Sequence, residues 1–123
     1  MTAIHLADSD GNSQTAPDAT FAPLLPTPPV QDYPSTHSAL GAAAATVLAD
    51  AFGRDEIRFT LASTTAPPTN PTRDFRSFSE AARENADSRV KASLHFRFAT
   101  TAGLKLGEIV GNFAVRHSLT PLD

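Results

Sequence analysis

The chain has 123 residues, 41% of them hydrophobic and 19% charged, with a formal net charge of −3 at pH 7 and no cysteine. This is room for one domain at most, and it excludes disulfides and thiolate-bound metals. The weak negative charge gives no reason to expect nucleic acid or a membrane surface as partner, and no apolar run approaches the roughly 20 residues of a membrane span.

Residues 1–36 carry no sustained periodicity. The start, Met1 to Asp8, lacks the basic and apolar stretches of a secretion signal. Asp8-Ser9-Asp10-Gly11-Asn12 is similar to a calcium loop, but Ser13 stands where such a loop needs glycine and the distant glutamate is absent, so a plain turn is expected. Pro17, Pro23, Pro26, Pro28, Pro29 and Pro34 oppose helix. Phe21, Leu24, Leu25 and Val30 suggest an extended arm lying over a helical body.

A first helix is predicted over 38–52, with Leu40, Ala44, Val47, Leu48 and Ala51 as its apolar stripe and Gly53 as its stop. Its small residues, Gly41 to Ala45, permit close approach of another backbone. Residues 57–61 alternate as a short extended piece, and 64–72 form a proline-bearing loop. Ser77-Phe78-Ser79-Glu80 reads as a capping box opening a helix to about Asn85. A last helix is predicted over 98–116, with Ala102, Leu106, Ile109, Val110, Phe113 and Ala114 on one face and Pro121 beyond its end. His5 and His117 are expected to be surface or packing residues.

Two short stretches carry candidate chemistry. In Pro34-Ser35-Thr36-His37, a helix start supplies unpaired N–H groups and a favourable dipole for an anion. Ser35 can donate a hydroxyl hydrogen bond, and His37 can pass a proton. The plainer alternative is that Ser35 or Thr36 only caps the helix. In Ser88-Arg89 followed by five residues and His95, the guanidinium suits a tetrahedral oxyanion, and a neutral imidazole nitrogen can attack phosphorus or bind vanadium. On one straight helix, positions six apart diverge by about 120° and about 9 Å. Convergence therefore needs a loop or a helix break near His95. The alternative has Arg89 paired with a carboxylate such as Asp87 and His95 half-buried.

Together, in this order, the two stretches resemble the second and third signature motifs of the type 2 phosphatidic acid phosphatase and vanadium haloperoxidase superfamily. Asp32-Tyr33-Pro34-Ser35-Thr36-His37-Ser38, Arg76 to Ala82, Ala86-Asp87-Ser88-Arg89 and Leu94 to Ala99 resemble its soluble bacterial haloperoxidase-related branch. The resemblance implies an all-α fold: a partial helical bundle of the vanadium haloperoxidase/acid phosphatase type, with 1–36 as a proline-rich arm and 37–123 as the helical part. It implies vanadate as cofactor, or phosphate in a phosphatase. It makes His95 the vanadium-bonded nitrogen or phosphoryl acceptor and His37 the acid–base group. Arg89, Ser35 and the backbone N–H of Thr36 would hold oxygens. Halide with peroxide, or a phosphate ester, would be the small-molecule substrate.

Three departures stand out. Thr36 replaces the usual glycine. Ala99 stands where many phosphatases of the superfamily carry an aspartate that orients the nucleophilic histidine, so His95 needs another orienting partner or none. The family's first motif, a lysine followed after six residues by Arg-Pro, is absent from these 123 residues, and Thr2-Ala3-Ile4 resembles the segment just after that motif in relatives. Two readings therefore stand side by side. One is a haloperoxidase-like or acid phosphatase-like protein. The other is a truncated, non-catalytic remnant, or a fragment completed by another chain. In either, the apolar helix faces are expected to want cover from a second copy or another chain, and the original compartment is not legible.

Overall fold

The computed structural model describes residues 2–64 and 66–118. In chain order these form α1 (Thr2–His5), a single 3₁₀ turn (Ala7–Ser9), α2 (Thr36–Ala51), β1 (Phe59–Ala62), β2 (Thr72–Phe75), α3 (Phe78–Lys91) and α4 (Arg97–His117). The architecture is the expected helical one, with α2 packed on both α3 and α4 and α3 packed on α4. Pro121 lies outside the described residues.

Between residues 10 and 35 the chain has no regular helix or strand, as its prolines dictate. Asp10 serves as turn former, accepting from the Asn12 N–H at 2.7 Å and the Thr15 hydroxyl at 2.7 Å. The arm folds back on α1: the Asp18 N–H donates to the Ile4 carbonyl, and the His5 ring lies 3.0 Å from the Phe21 carbonyl oxygen. Leu24, Leu25 and Val30, expected to lie against the body, are exposed.

The short extended piece expected over 57–61 is a strand over 59–62, because 72–75 pair with those residues. The strands are antiparallel, Phe59 facing Phe75 and Ala62 facing Thr72. Phe59 stacks against Phe75 and Phe78, and Phe52 against Phe78, so an aromatic cluster pins the hairpin to the end of α2 and the start of α3. A two-pronged Arg73–Glu84 ion pair, both contacts 2.7 Å, ties β2 to α3.

Ser77 caps α3 by accepting the Glu80 N–H at 3.0 Å. The Glu80 carboxylate reaches back one residue further than a standard capping box, to the Arg76 N–H. Asp55 completes this end, accepting from both the N–H and the hydroxyl of Ser79.

The large residues of the predicted stripes of α2 and α4 face outward, while Val47, Ala102 and Ala114 are half-buried. Leu40 and Leu48 on α2, and Leu106, Ile109, Val110 and Phe113 on α4, are exposed. The buried face of α4 is instead Ala99, Thr100, Gly103, Gly107 and Gly111; that of α2 is Ser38 and Ala42. The three glycines form one row at every fourth position. A β-carbon at Gly103 would overlap the Ser35 carbonyl, one at Gly107 the Ala39 carbonyl, and one at Gly111 would lie 2.7 Å from Thr46 Cβ. The two helices thus touch backbone to backbone, a distance that large side chains would prevent. The core that results is built mainly of alanines, with Phe75, Phe78 and Leu94 as its bulky members.

Candidate oxyanion site

Ser35 is fully buried and caps α2. Its hydroxyl oxygen accepts from the Ser38 hydroxyl at 3.1 Å and from the Ser38 N–H at 3.5 Å. With its acceptor side engaged, Ser35 has its own hydrogen left to donate. The capping role and the anion-donor role are therefore compatible. The Ser35 N–H donates to the Ala99 carbonyl at 3.0 Å, which fastens this motif to the first turn of α4. Thr36 opens α2, so its N–H belongs to the first turn, where no intrahelical acceptor exists. Asn85 on α3 donates its amide to the His37 carbonyl at 2.7 Å and holds the motif from the other side.

The break needed between Arg89 and His95 is present. α3 ends at Lys91, and Ser93 adopts φ 60° in the left-handed region. The Ser93 N–H donates to the Val90 carbonyl and the Leu94 N–H to the Arg89 carbonyl, both at 2.9 Å. This is a Schellman closure with serine where glycine is usual. The His95 N–H also turns back to the Arg89 carbonyl, at 3.3 Å. The backbone of Arg89 thereby sets the placement of His95. A left-handed serine is strained by roughly 1 kcal/mol, partly offset by the extra chain entropy glycine would lose on folding. Ser93→Gly is therefore expected to stabilise the protein by about 0.5 kcal/mol, read as a higher urea midpoint; a lower midpoint would show that the serine side chain contributes more than its backbone costs.

Arg89 does not pair with Asp87. That carboxylate is taken by Arg97 across the turn. Arg89 Nε is buried, with no hydrogen-bond partner among the described residues. His95 is buried rather than half-buried, 4% exposed. Its Nδ1 lies 2.9 Å from the Asp32 carbonyl oxygen and 3.1 Å from Asp32 Oδ1. His37 is exposed as a residue. Partial desolvation of its ring, and then the charges of Arg89 and His95, hold its pKa below the ordinary 6.5. His37, Arg89 and His95 are thus close enough to act on one another. At neutral pH this favours a neutral His37, able to take up a proton when an anion offsets the positive field.

The structure brings Ser35, Thr36, His37, Arg89 and His95 together where α2 begins, α3 ends and α4 begins. His5 and His117 are exposed, at the ends of α1 and α4. Sequence reasoning missed Asp32, Ser38 and Asn85. Ser38 was legible as the polar first residue of the predicted helix. Asp32 and Asn85 act across 63 and 48 residues, beyond any local signal. The donors fit an oxyanion: an unpartnered buried guanidinium nitrogen, a hydroxyl hydrogen, a first-turn N–H and an imidazole fixed through its other nitrogen. No described helix is long and apolar enough to cross a membrane.

Among known families, the VCPO second helical-bundle domain matches residues 2–123. Among solved structures, a bacterial vanadium-dependent iodoperoxidase is 41% identical, with a TM-score of 0.70, over 78% of this chain and 23% of that one. The holo form of a bacterial vanadium-dependent chloroperoxidase is 22% identical over 79% of this chain and 23% of that one, and the apo form 24% over 78% and 23%. Both have a TM-score of 0.66, which supports the fold. The chain spans about a quarter of the length of these structures. No curated protein matches.

Proposed function

We propose, from the premise that this chain belongs to the VCPO second helical-bundle domain family, that it carries the vanadate-gripping part of a haloperoxidase site. The complete site would oxidise halide with peroxide. The observation that carries this reading is the buried Arg89 Nε, which has no protein partner among the described residues and acts electrostatically on His37. A buried donor left unpaired costs roughly 1–3 kcal/mol, and a negatively charged ligand removes that cost.

Vanadate, when bound, supplies a Lewis-acidic centre at which peroxide can oxidise a halide. His95 Nε2 would bond vanadium, because Nδ1 is engaged with Asp32. Arg89, the Ser35 hydroxyl and the Thr36 N–H would hold oxygens. His37 would hold or release a proton beside them. The same donors suit phosphate, whose transfer also spreads charge over three equatorial oxygens. Haloperoxidase is favoured over phosphatase by the 41% identity to an iodoperoxidase and by Ala99 in place of the orienting aspartate.

A second reading has one supporting observation: these residues include no Lys-x6-Arg-Pro, so two cationic donors of the family pattern would have to come from elsewhere. In it, 1–123 is a single partial domain, and a further helical surface or a second copy covers Leu106, Ile109, Val110 and Phe113. Titrating vanadate into the protein and into His95→Ala, followed by calorimetry, tests the site. Binding by the unaltered protein alone is expected. Equal binding by both would sink the assignment of His95.

A further inference from the structure

We infer that Asp32 is the positioning residue for His95, replacing the aspartate that Ala99 displaces. The inference rests on the reading of His95 as the ligand-bonding histidine. Imidazole has two nitrogens, and the bond made by one decides what the other can do. Around Nδ1 of His95 the structure places two acceptors, the backbone and carboxylate oxygens of Asp32. Two acceptors demand a hydrogen on Nδ1. In the neutral ring the lone pair is then on Nε2, the atom that must meet vanadium or phosphorus.

The clamp is braced. Asp32 Oδ1 also accepts the Phe96 N–H at 3.2 Å, so one carboxylate oxygen engages both His95 and its neighbour. Beside it Tyr33 stacks on Phe98, ring centroids 5.8 Å apart, and Phe98 stacks on Phe96 at the same separation. These contacts hold the 32–34 segment against the start of α4. The position four residues after His95, Ala99, is fully buried and offers only a methyl group. Orientation thus comes from the segment that precedes the Ser35 motif. The two motifs are coupled through the imidazole ring itself.

The backbone carbonyl survives any substitution at Asp32, but the carboxylate that anchors it beside Nδ1 through the Phe96 N–H does not, so Asp32→Ala leaves Nδ1 with one loosely held acceptor. Asp32→Ala removes the carboxylate and the Phe96 acceptor. Asp32→Asn keeps one oxygen that can accept. The test reads the ¹⁵N shifts of the neutral His95 ring in anion-free protein, and vanadate affinity by titration. The unaltered protein is expected to show the Nδ1–H tautomer. Asp32→Ala is expected to show a mixture of tautomers and vanadate binding weaker by about tenfold, the low end for loss of an orienting partner. Asp32→Asn is expected to restore the tautomer and most of the affinity. An unchanged tautomer in Asp32→Ala, or an asparagine variant no better than alanine, overturns the inference. If the unaltered protein binds neither phosphate nor vanadate, the oxyanion reading fails, and the tautomer comparison still decides what Asp32 does.

Discussion

Gly107→Ala is expected to destabilise the protein by about 2 kcal/mol or more, with the loss concentrated where α4 meets α2. Alanine would improve intrinsic helix propensity by roughly 1 kcal/mol. Against this stands the Ala39 carbonyl, which a β-carbon would overlap, with Ala42 Cβ 2.7 Å away. Over-packing commonly costs about 1–3 kcal/mol. Here the obstacle is helical backbone, which has no rotamer to escape into, so the upper end or beyond applies and the propensity gain is outweighed. Urea unfolding with an unchanged slope should report the lowered midpoint. A midpoint equal to or above that of the unaltered protein would mean that α4 does not rest on α2 as described.

The second large effect separates stability from binding. Arg89→Met keeps most of the apolar stem and removes the buried, unpartnered nitrogen. In anion-free protein it is expected to raise the thermal midpoint, by a stability gain of roughly 1 kcal/mol. Phosphate affinity should fall by about 10–10²-fold, the cost of losing a hydrogen bond to a charged group. The His37 pKa should rise, because one of the charges depressing it is gone. Thermal melts with and without phosphate, together with a ring-proton titration of His37, measure all three. The opposite pattern, a variant less stable without anion and equally stabilised by phosphate, would show that Arg89 is structural. This is the trade expected where a site is held ready for a ligand at the expense of the free fold.

Much of the architecture was legible because it rests on local chemistry. Ser77 caps α3 where its sequence says it should, and the prolines keep the arm irregular. α3 runs past Asn85 to Lys91, since nothing from Ala86 onward opposes helix, and its end at Ser93 has no glycine to announce it. β2 was missed because Thr72 to Phe75 has strand character only through its pairing with β1. The errors on α2 and α4 share one cause. Hydrophobic periodicity ranks residues by aversion to water, whereas this packing is decided by size. The fourfold spacing of Gly103, Gly107 and Gly111 was in plain view, as was the small-residue run from Gly41, but only their contact reveals that the two belong together. Within the site, Ser35, Arg89 and His95 were identifiable by residue type and motif spacing. Asp32 becomes meaningful only once the fold has carried it to the ring of His95.

The glycine row has a bearing on how this protein can change over time. Gly103 sits under the Ser35 carbonyl, and His95 lies just before the same helix. The gap between the two motifs is therefore measured in backbone thickness, not in side-chain volume. Substitutions in residues 10–31 of the arm, the hairpin or the outer face of α4 can accumulate without altering that gap. Three positions with no side chain thus act as a gauge block: the surroundings are free to drift, and the alignment of the candidate site stays where the main chain puts it.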